Sequence, residues 1–380
     1  MSGNKKNILI VLGTRPEIIK LFVLYRELKK SNEFNPILFN TAQQTISEDI
    51  LSYLSLSFDM SSEEIPNRSA DLELFMAHML NDFNDKFVKG NSGLNVRDIS
   101  GVVVQGDTVS AYTGAVWAFI NQIPVFHVEA GLRTFDHLNP FPEEFFRESI
   151  GRIASLNFCP TQISYGNLMR EGIDKNKCHI VGNTINDAIV TLLQENKIKD
   201  YSSDDYILST LHRRENWDKV EEYSKILNRL IKAKKTDRKI IHLLHPNPSI
   251  RKSFYSGLNG GAEENLVISD PVNDYFQMLG MVRNAHTIIS DSGGLQEESL
   301  FFNIPCGIMR KVTERPEVLE KNAKLLNFEF GEVSSFIDYS EYYRSNVGEG
   351  YDYTFGRGDT SKKIYEILLK YYNYNNSNKY

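Results

Sequence analysis

Cysteine is scarce in this chain: Cys159, Cys178 and Cys306 are the only three in 380 residues. An odd, widely spaced set provides neither a disulfide frame nor a metal-ligand spacing, and reads as small buried side chains in a reducing, cytoplasmic compartment. Long apolar runs are missing as well. The stretch Ile8–Leu12 breaks off at GTRPE, too short for a signal peptide, and nothing approaches the roughly 18–20 residues of a membrane helix. Basic charge is not in excess, with 43 Lys and Arg against 49 Asp and Glu and a formal net charge of −6. Such a surface lacks the positive field that displaces counterions from nucleic acid, although local arginines and helix N-termini can still seat an anion. Neither GxGxxG nor GxxxxGK followed by Ser or Thr occurs, so bound NAD and ATP hydrolysis lose their signatures. No His, Cys or Asp spacing suggests a metal, and no repeat of 20–50 residues is present. The sequence therefore points to no cofactor, no membrane and no nucleic acid.

What is present is an α/β pattern. The length favours two domains, and a content of 41% hydrophobic and 24% charged residues is that of a globular protein. NILIVL at residues 7–12 is a continuous apolar run, the mark of a strand buried on both faces. The Gly turn of GTRPE and the helically spaced IIKLFVLYRELKKS complete a first βα unit. NPILFN, VVVQ and PVFHVE are further strands, separated by helices over SEDILSYL, the 67–89 stretch with Ser69 as its cap, and Ser110 to Asn121. VGNT at Val181–Thr184 reads as a domain junction. Beyond it YILSTLH, KIIHLLH, LVISD, HTIIS and IPCGIMR form a second series, and SKKIYEILLKYYNY is an amphipathic terminal helix.

The chemistry concentrates at strand ends. Between Val102 and Arg147 three acidic positions follow apolar runs or loops: Asp107, Glu129 and the pair Glu143–Glu144. Carboxylates there lie at the open carboxyl edge of a parallel sheet, where α/β proteins bind ligands, and neighbouring carboxylates can hold different protonation states. Each could instead be a helix cap. Arg15 adds a forked cation at a helix start whose free N–H groups suit an anion. In LHRRENWD, His212 with Arg213 and Arg214 suits a pyrophosphate; the rival is a surface cluster paired with Glu215. His245 in HPNPS serves a ligand or the structure equally well. In DSGGLQEE, Ser292, Gly293 and Gly294 let backbone approach a diphosphate at a helix start, and Glu298 could take the hydroxyls of a ribose. The plainer alternative is a simple turn.

GTRPE, TAQ, QGDT, HVEAGLRT, PFPEE with Arg147, GNT, HRREN, HPNP, DSGGLQEE and TERPE occur in this order from residue 13 to residue 317. Together they resemble the non-hydrolysing UDP-N-acetylglucosamine 2-epimerases. The resemblance implies two Rossmann-like domains of the GT-B kind with the active site in the cleft. It divides the chain into 1–182 with the returning C-terminal helix 362–380, and 183–361. It implies a homodimer that interconverts UDP-GlcNAc and UDP-ManNAc without NAD or metal, supplying ManNAc for a surface polysaccharide. Position by position, Asp107, Glu129 and Glu143 become the catalytic acids and His212 the group that stabilises departing UDP. Arg15, Arg147, Arg213, His245, Ser292, Gly293, Gly294 and Glu298 become substrate contacts. Gln43, Arg68 and His245 match the site where some relatives bind UDP-GlcNAc as an activator, with Ile46 in place of a polar residue. Phe146 stands where relatives carry Asn, Gln105 where His is common, and Lys311–Val312 where an Asp-Thr pair is expected. The alternatives are action on a modified UDP-HexNAc, hydrolysis to free ManNAc, a GT-B glycosyltransferase with a UDP-sugar donor, and a non-catalytic sugar-nucleotide binder.

Overall fold

The protein is described by a computed structural model over residues 5–65, 71–201, 205–258, 261–347 and 350–377. It forms two compact units, Met1–Thr191 with Phe355–Tyr380, and Leu192–Thr354. In chain order the first unit contains β1 (Lys6–Leu12), α1 (Arg15–Lys30), β2 (Phe34–Asn40), α2 (Glu48–Leu54), β3 (Met60–Ser61), α3 (Leu72–Phe83), β4 (Ile99–Gln105), α4 (Val109–Ile120), β5 (Val125–Val128), α5 (Glu143–Ile153), β6 (Leu156–Cys159), α6 (Gln162–Arg170) and β7 (Cys178–Ile180). α7 (Thr184–Gln194) leads into the second unit, with β8 (Tyr206–Thr210), α8 (Val220–Lys232), β9 (Lys239–Leu243), α9 (Pro248–Gly257), β10 (Leu266–Ser269), α10 (Tyr275–Asn284), β11 (Thr287–Ser290), α11 (Gly293–Phe301), β12 (Cys306–Ile308), β13 (Ala323–Leu325) and α12 (Phe330–Asn346). The terminal helix α13 (Thr360–Ser377) belongs to the first unit.

All strand pairs are parallel. The first sheet runs β3-β2-β1-β4-β5-β6-β7 and the second β10-β9-β8-β11-β12-β13. Helices cover both faces of such a sheet, so central strands are apolar throughout; Ile8 to Leu12 are all buried. Each sheet reverses direction once, between β1 and β4 in the first and between β8 and β11 in the second. These are the switch points at which a crevice opens beyond the strand ends. The first core contains Phe39, Phe83, Phe87 and Trp117 in ring contact, with Phe83 and Trp117 centroids 4.8 Å apart. The second is built around Tyr223, Phe254 and Phe336.

Two details differ from the sequence reading. Helix α3 begins after Asp71, whose carboxylate accepts the Leu74 N–H, so Asp71 is its cap; Ser69 lies outside the described residues. The segment Phe330–Asn346, not expected as a helix, is one because Val333, Phe336, Ile337 and Ser340 bury a single stripe. The returning α13 is fixed at both ends. Asp187 accepts the N–H groups of Thr360 and Ser361 at its start. Near its other end, Tyr372 donates to the Ser100 carbonyl at 2.7 Å and packs on Phe34 and Phe126.

The three cysteines are buried and unpaired, and burial raises the thiol of Cys178 to about 11 and that of Cys306 to about 12. Among the described residues no helix is long and apolar enough to cross a membrane, and no group of three or more His, Cys, Asp or Glu is arranged to hold a metal.

Candidate active site

In the first unit the acids collect at the carboxyl edge around the switch point. β4 and β5 are neighbours, with Gln105 opposite Val128. Asp107 and Glu129 therefore follow adjacent strands. Glu129 takes a left-handed backbone conformation, φ 66°, and its side chain is buried. Its carboxylate forms an ion pair with Lys20 of α1 and accepts from Gln105 Nε2 at 3.1 Å and Asn183 Nδ2 at 3.2 Å. A carboxylate held by a buried cation and two amides is a fixed charge with a defined direction. Asp107 is half-buried, and its Oδ2 lies 2.5 Å from Nη2 of buried Arg147. Arg147 in turn meets Glu144 Oε2 at 2.8 Å. Glu144 is fully buried and accepts the N–H groups of Thr134 and Phe135. Glu143 is the first residue of α5 and half-buried.

The loops of this edge are joined by side chains. Glu17, fully buried, accepts from the Gly13 and Thr14 N–H groups, from Thr14 Oγ1, and from Thr108 Oγ1 at 2.6 Å. Burial raises its carboxyl pKa, against the lowering effect of those hydrogen bonds. Gln43 accepts from Ser110 Oγ at 2.6 Å, and Thr41 Oγ1 is 2.7 Å from the same hydroxyl. Gly13 is required here: a methyl on it would lie 1.9 Å from Thr41 Oγ1. Arg15, half-buried at the start of α1, is anchored by its backbone N–H to Gln44 Oε1.

In the second unit the switch point brings the ends of β8 and β11 together. Buried Asp291 accepts the N–H groups of His212 and Arg213, at 3.0 and 2.8 Å, and Asn216 Nδ2 at 3.0 Å; His212 Nδ1 is 3.1 Å from its Oδ1. Ser292 caps α11. A methyl at Gly293 would stand 3.0 Å from Arg315 Nη1 and 3.4 Å from Arg213 Nη2, so two guanidinium groups flank this helix start. Arg315 is braced by Glu297 at 2.6 Å and Glu314 at 2.5 Å. Glu298, buried one turn farther on, accepts from Tyr275 OH at 2.9 Å. A helix N-terminus with a Gly turn and two arginines has the chemistry that suits a diphosphate. A diphosphate ligand at this turn should bind about 5- to 100-fold more weakly to Gly293→Ala, the range for forcing a methyl into a packed seat. Titration calorimetry checks this, and unaltered affinity would remove the diphosphate from this turn.

A family model described as UDP-N-acetylglucosamine 2-epimerase matches residues 26–369. The chain belongs to that family. The UDP-N-acetylglucosamine 2-epimerase of Methanocaldococcus jannaschii is 34% identical over 370 residues, covering 94% of this chain and 98% of that one. The solved structure of the Neisseria meningitidis UDP-GlcNAc 2-epimerase bound to UDP-GlcNAc is similar with a TM-score of 0.85 and 31% identity, over 96% of this chain and 100% of that one. The Methanocaldococcus jannaschii enzyme in complex with UDP-GlcNAc and UDP is similar with a TM-score of 0.79 and 31% identity, over 96% and 99%.

Within this epimerase family the departures of the sequence acquire locations. Phe146 does not face the acids: it is buried in the core, stacked on Tyr112 with centroids 4.5 Å apart. Lys311 and Val312 are exposed. Gln105 is a Glu129 partner. His245 follows β9, and its Nδ1 accepts the Asn247 N–H at 3.0 Å while its ring meets Trp217 edge-on. This gives it a local structural task, and its pKa is lowered first by burial and then by neighbouring His212. Gln43 is engaged with Ser110; Arg68 lies outside the described residues. Glu215, taken as a possible partner of the neighbouring arginines, lies 3.7 Å from Arg310. The sequence reading assigned no roles to Lys20, Asn183, Asp291 and Arg315, and named Glu144 only as half of the pair Glu143–Glu144. Lys20 carried a signal, a lone charge within the apolar IIKLF; Asp291 and Arg315 sat inside quoted motifs.

Proposed function

We propose that the protein is a UDP-N-acetylglucosamine 2-epimerase that interconverts UDP-GlcNAc and UDP-ManNAc by eliminating UDP and adding it back, through 2-acetamidoglucal. The hydrogen at C2 is not α to a carbonyl, so a carboxylate alone removes it very slowly. Expulsion of UDP from C1 as the C2 proton leaves forms the C1–C2 double bond and avoids a carbanion. The reverse step delivers a proton to the other face and reattaches UDP. Asp107, Glu129 and Glu143 serve as bases and acids on the sugar, with Arg147 setting the direction of Asp107. Arg15, Arg213, Ser292, Gly293 and Gly294 hold the diphosphate, Glu298 the ribose, and His212 meets the charge that develops on the leaving oxygen.

The observation that carries this reading is the pairing of functions in one chain: one unit gathers carboxylates at its sheet edge, the other a Gly turn flanked by arginines. A glycosyltransferase needs the second but not the first, and a sugar-nucleotide binder needs no acids. The product would supply ManNAc units for a surface polysaccharide. A homodimer accords with the resemblance, and exposed Phe119 and Ile120 at the end of α4 offer apolar surface for it.

Incubation with UDP-GlcNAc in heavy water tests the mechanism. NMR should show deuterium entering C2 of recovered UDP-GlcNAc and of a second UDP-sugar. Release of free ManNAc would mean hydrolysis instead, and a sugar that never acquires deuterium with folded protein would overturn the elimination.

A further inference from the structure

We propose that Asp291 is a positioning residue for His212: its carboxylate accepts a hydrogen bond from the imidazole Nδ1–H and so reserves Nε2 for proton exchange with the diphosphate. Its importance for turnover rests on the epimerase reading above, but the orientation itself does not.

The pair is set by the sheet. β8 and β11 are adjacent, with Thr210 opposite Ser290 and their hydroxyls 2.6 Å apart. The residues that follow the two strands are thus placed side by side, and Asp291 turns its carboxylate onto the 212–216 loop. The carboxylate is completely buried, yet it is surrounded by donors: two backbone N–H groups, the Asn216 amide and the imidazole. Burial by itself would raise its pKa. The hydrogen bond and charge of His212, with Asn216 and the Arg213 N–H, outweigh that and hold it at about 2. An ionised carboxylate only accepts hydrogen bonds. At 3.1 Å the facing Nδ1 must therefore carry the proton.

This fixes the ring for both halves of the reaction. When His212 is cationic, Nε2–H donates its proton to the departing phosphate oxygen as the C1–O electrons move onto it; the C2–H electrons form the C1–C2 bond and that proton goes to a carboxylate. When UDP returns, neutral Nε2 takes the proton back. The imidazole is 46% exposed, so without Asp291 it could turn over or carry its neutral proton on Nε2, where it cannot accept.

The test uses full-length protein with ¹⁵N-labelled histidine, with His212→Asn to assign the signal. With the imidazole in its neutral form, long-range ¹H–¹⁵N spectra of the unsubstituted protein should show Nδ1 protonated and Nε2 bare. Asp291→Asn should lose that preference and lower kcat about 100-fold, the lower range for a proton-transfer group, with much less change in UDP affinity. Asn216→Ala, which keeps the pair, should retain the Nδ1–H form and checks the fold of the loop. A proton on Nε2 in the unsubstituted protein would overturn the assignment. So would an Asp291→Asn variant with unchanged kcat, or one losing kcat and UDP affinity together with no change of tautomer. Because the tautomer is read without substrate, failure of this proposal is distinguishable from failure of the epimerase reading, which the heavy-water experiment decides.

Discussion

Asp107→Asn should lower kcat by about 10³-fold or more, the loss expected when a proton-transferring group is removed, while UDP affinity stays nearly unchanged. The amide is the same size but neither takes nor delivers a proton at C2. The proposed nucleotide contacts are other residues, Arg15, Arg213, Ser292, Gly293, Gly294 and Glu298, so the loss should fall on kcat rather than on binding. The substitution also breaks the 2.5 Å contact with Arg147, but that guanidinium keeps Glu144 and remains compensated. Steady-state kinetics with calorimetric UDP binding measures both quantities. Near-normal turnover would remove Asp107 from the chemistry and leave it as a partner of Arg147 alone.

Glu144→Ala should lower both stability and rate. Glu144 is fully buried, closes the ion pair with Arg147 and accepts two backbone N–H groups. Its removal takes a partner from a buried guanidinium and leaves two backbone donors without this acceptor. Breaking a buried pair on one side costs roughly 3 kcal/mol or more, which in a unit of this size corresponds to about 6–12 °C in Tm. Arg147 would then orient Asp107 less well, and kcat should fall with the melting temperature. Glu144→Gln keeps an oxygen for Thr134 and Phe135, so it should recover much of the stability but less of the rate. Calorimetric melting beside kinetics separates these effects. An alanine variant of native stability would show that the Arg147 chain contributes little to the fold.

Two acids adjacent in sequence, Glu143 and Glu144, show where legibility stops. Glu143 was assigned a role from its place in PFPEE, whereas nothing local distinguishes Glu144 as the one that points inward to Arg147. Helical periodicity puts residues 144 and 147 on one side of α5, but that side is meaningful only once β4 and Asp107 lie against it. The short strands Met60–Ser61 and Ala323–Leu325 were missed because two or three residues carry no period. Helix α12 was missed because Ser, Tyr and Phe are weak helix formers and only its buried stripe holds it.

The chain by itself determined the alternation of strands and helices, the parallel class of both sheets, and the motifs at their carboxyl ends. Those properties are local: continuous apolar runs, helical spacing, Gly turns and acids a few residues past a strand. Only the tertiary structure decided that Lys20 and Asn183 hold Glu129, that Glu17 joins two loops through Thr108, and that Asp291 faces His212. Lys20, Thr108 and Asp291 meet their partners across a switch point, from up to 109 residues away, whereas Asn183 follows β7 on the same side of the switch as Glu129. A side chain's charge is written in the sequence; what surrounds it, and hence whether it is fixed, ionised or able to move a proton, depends on which strands become neighbours.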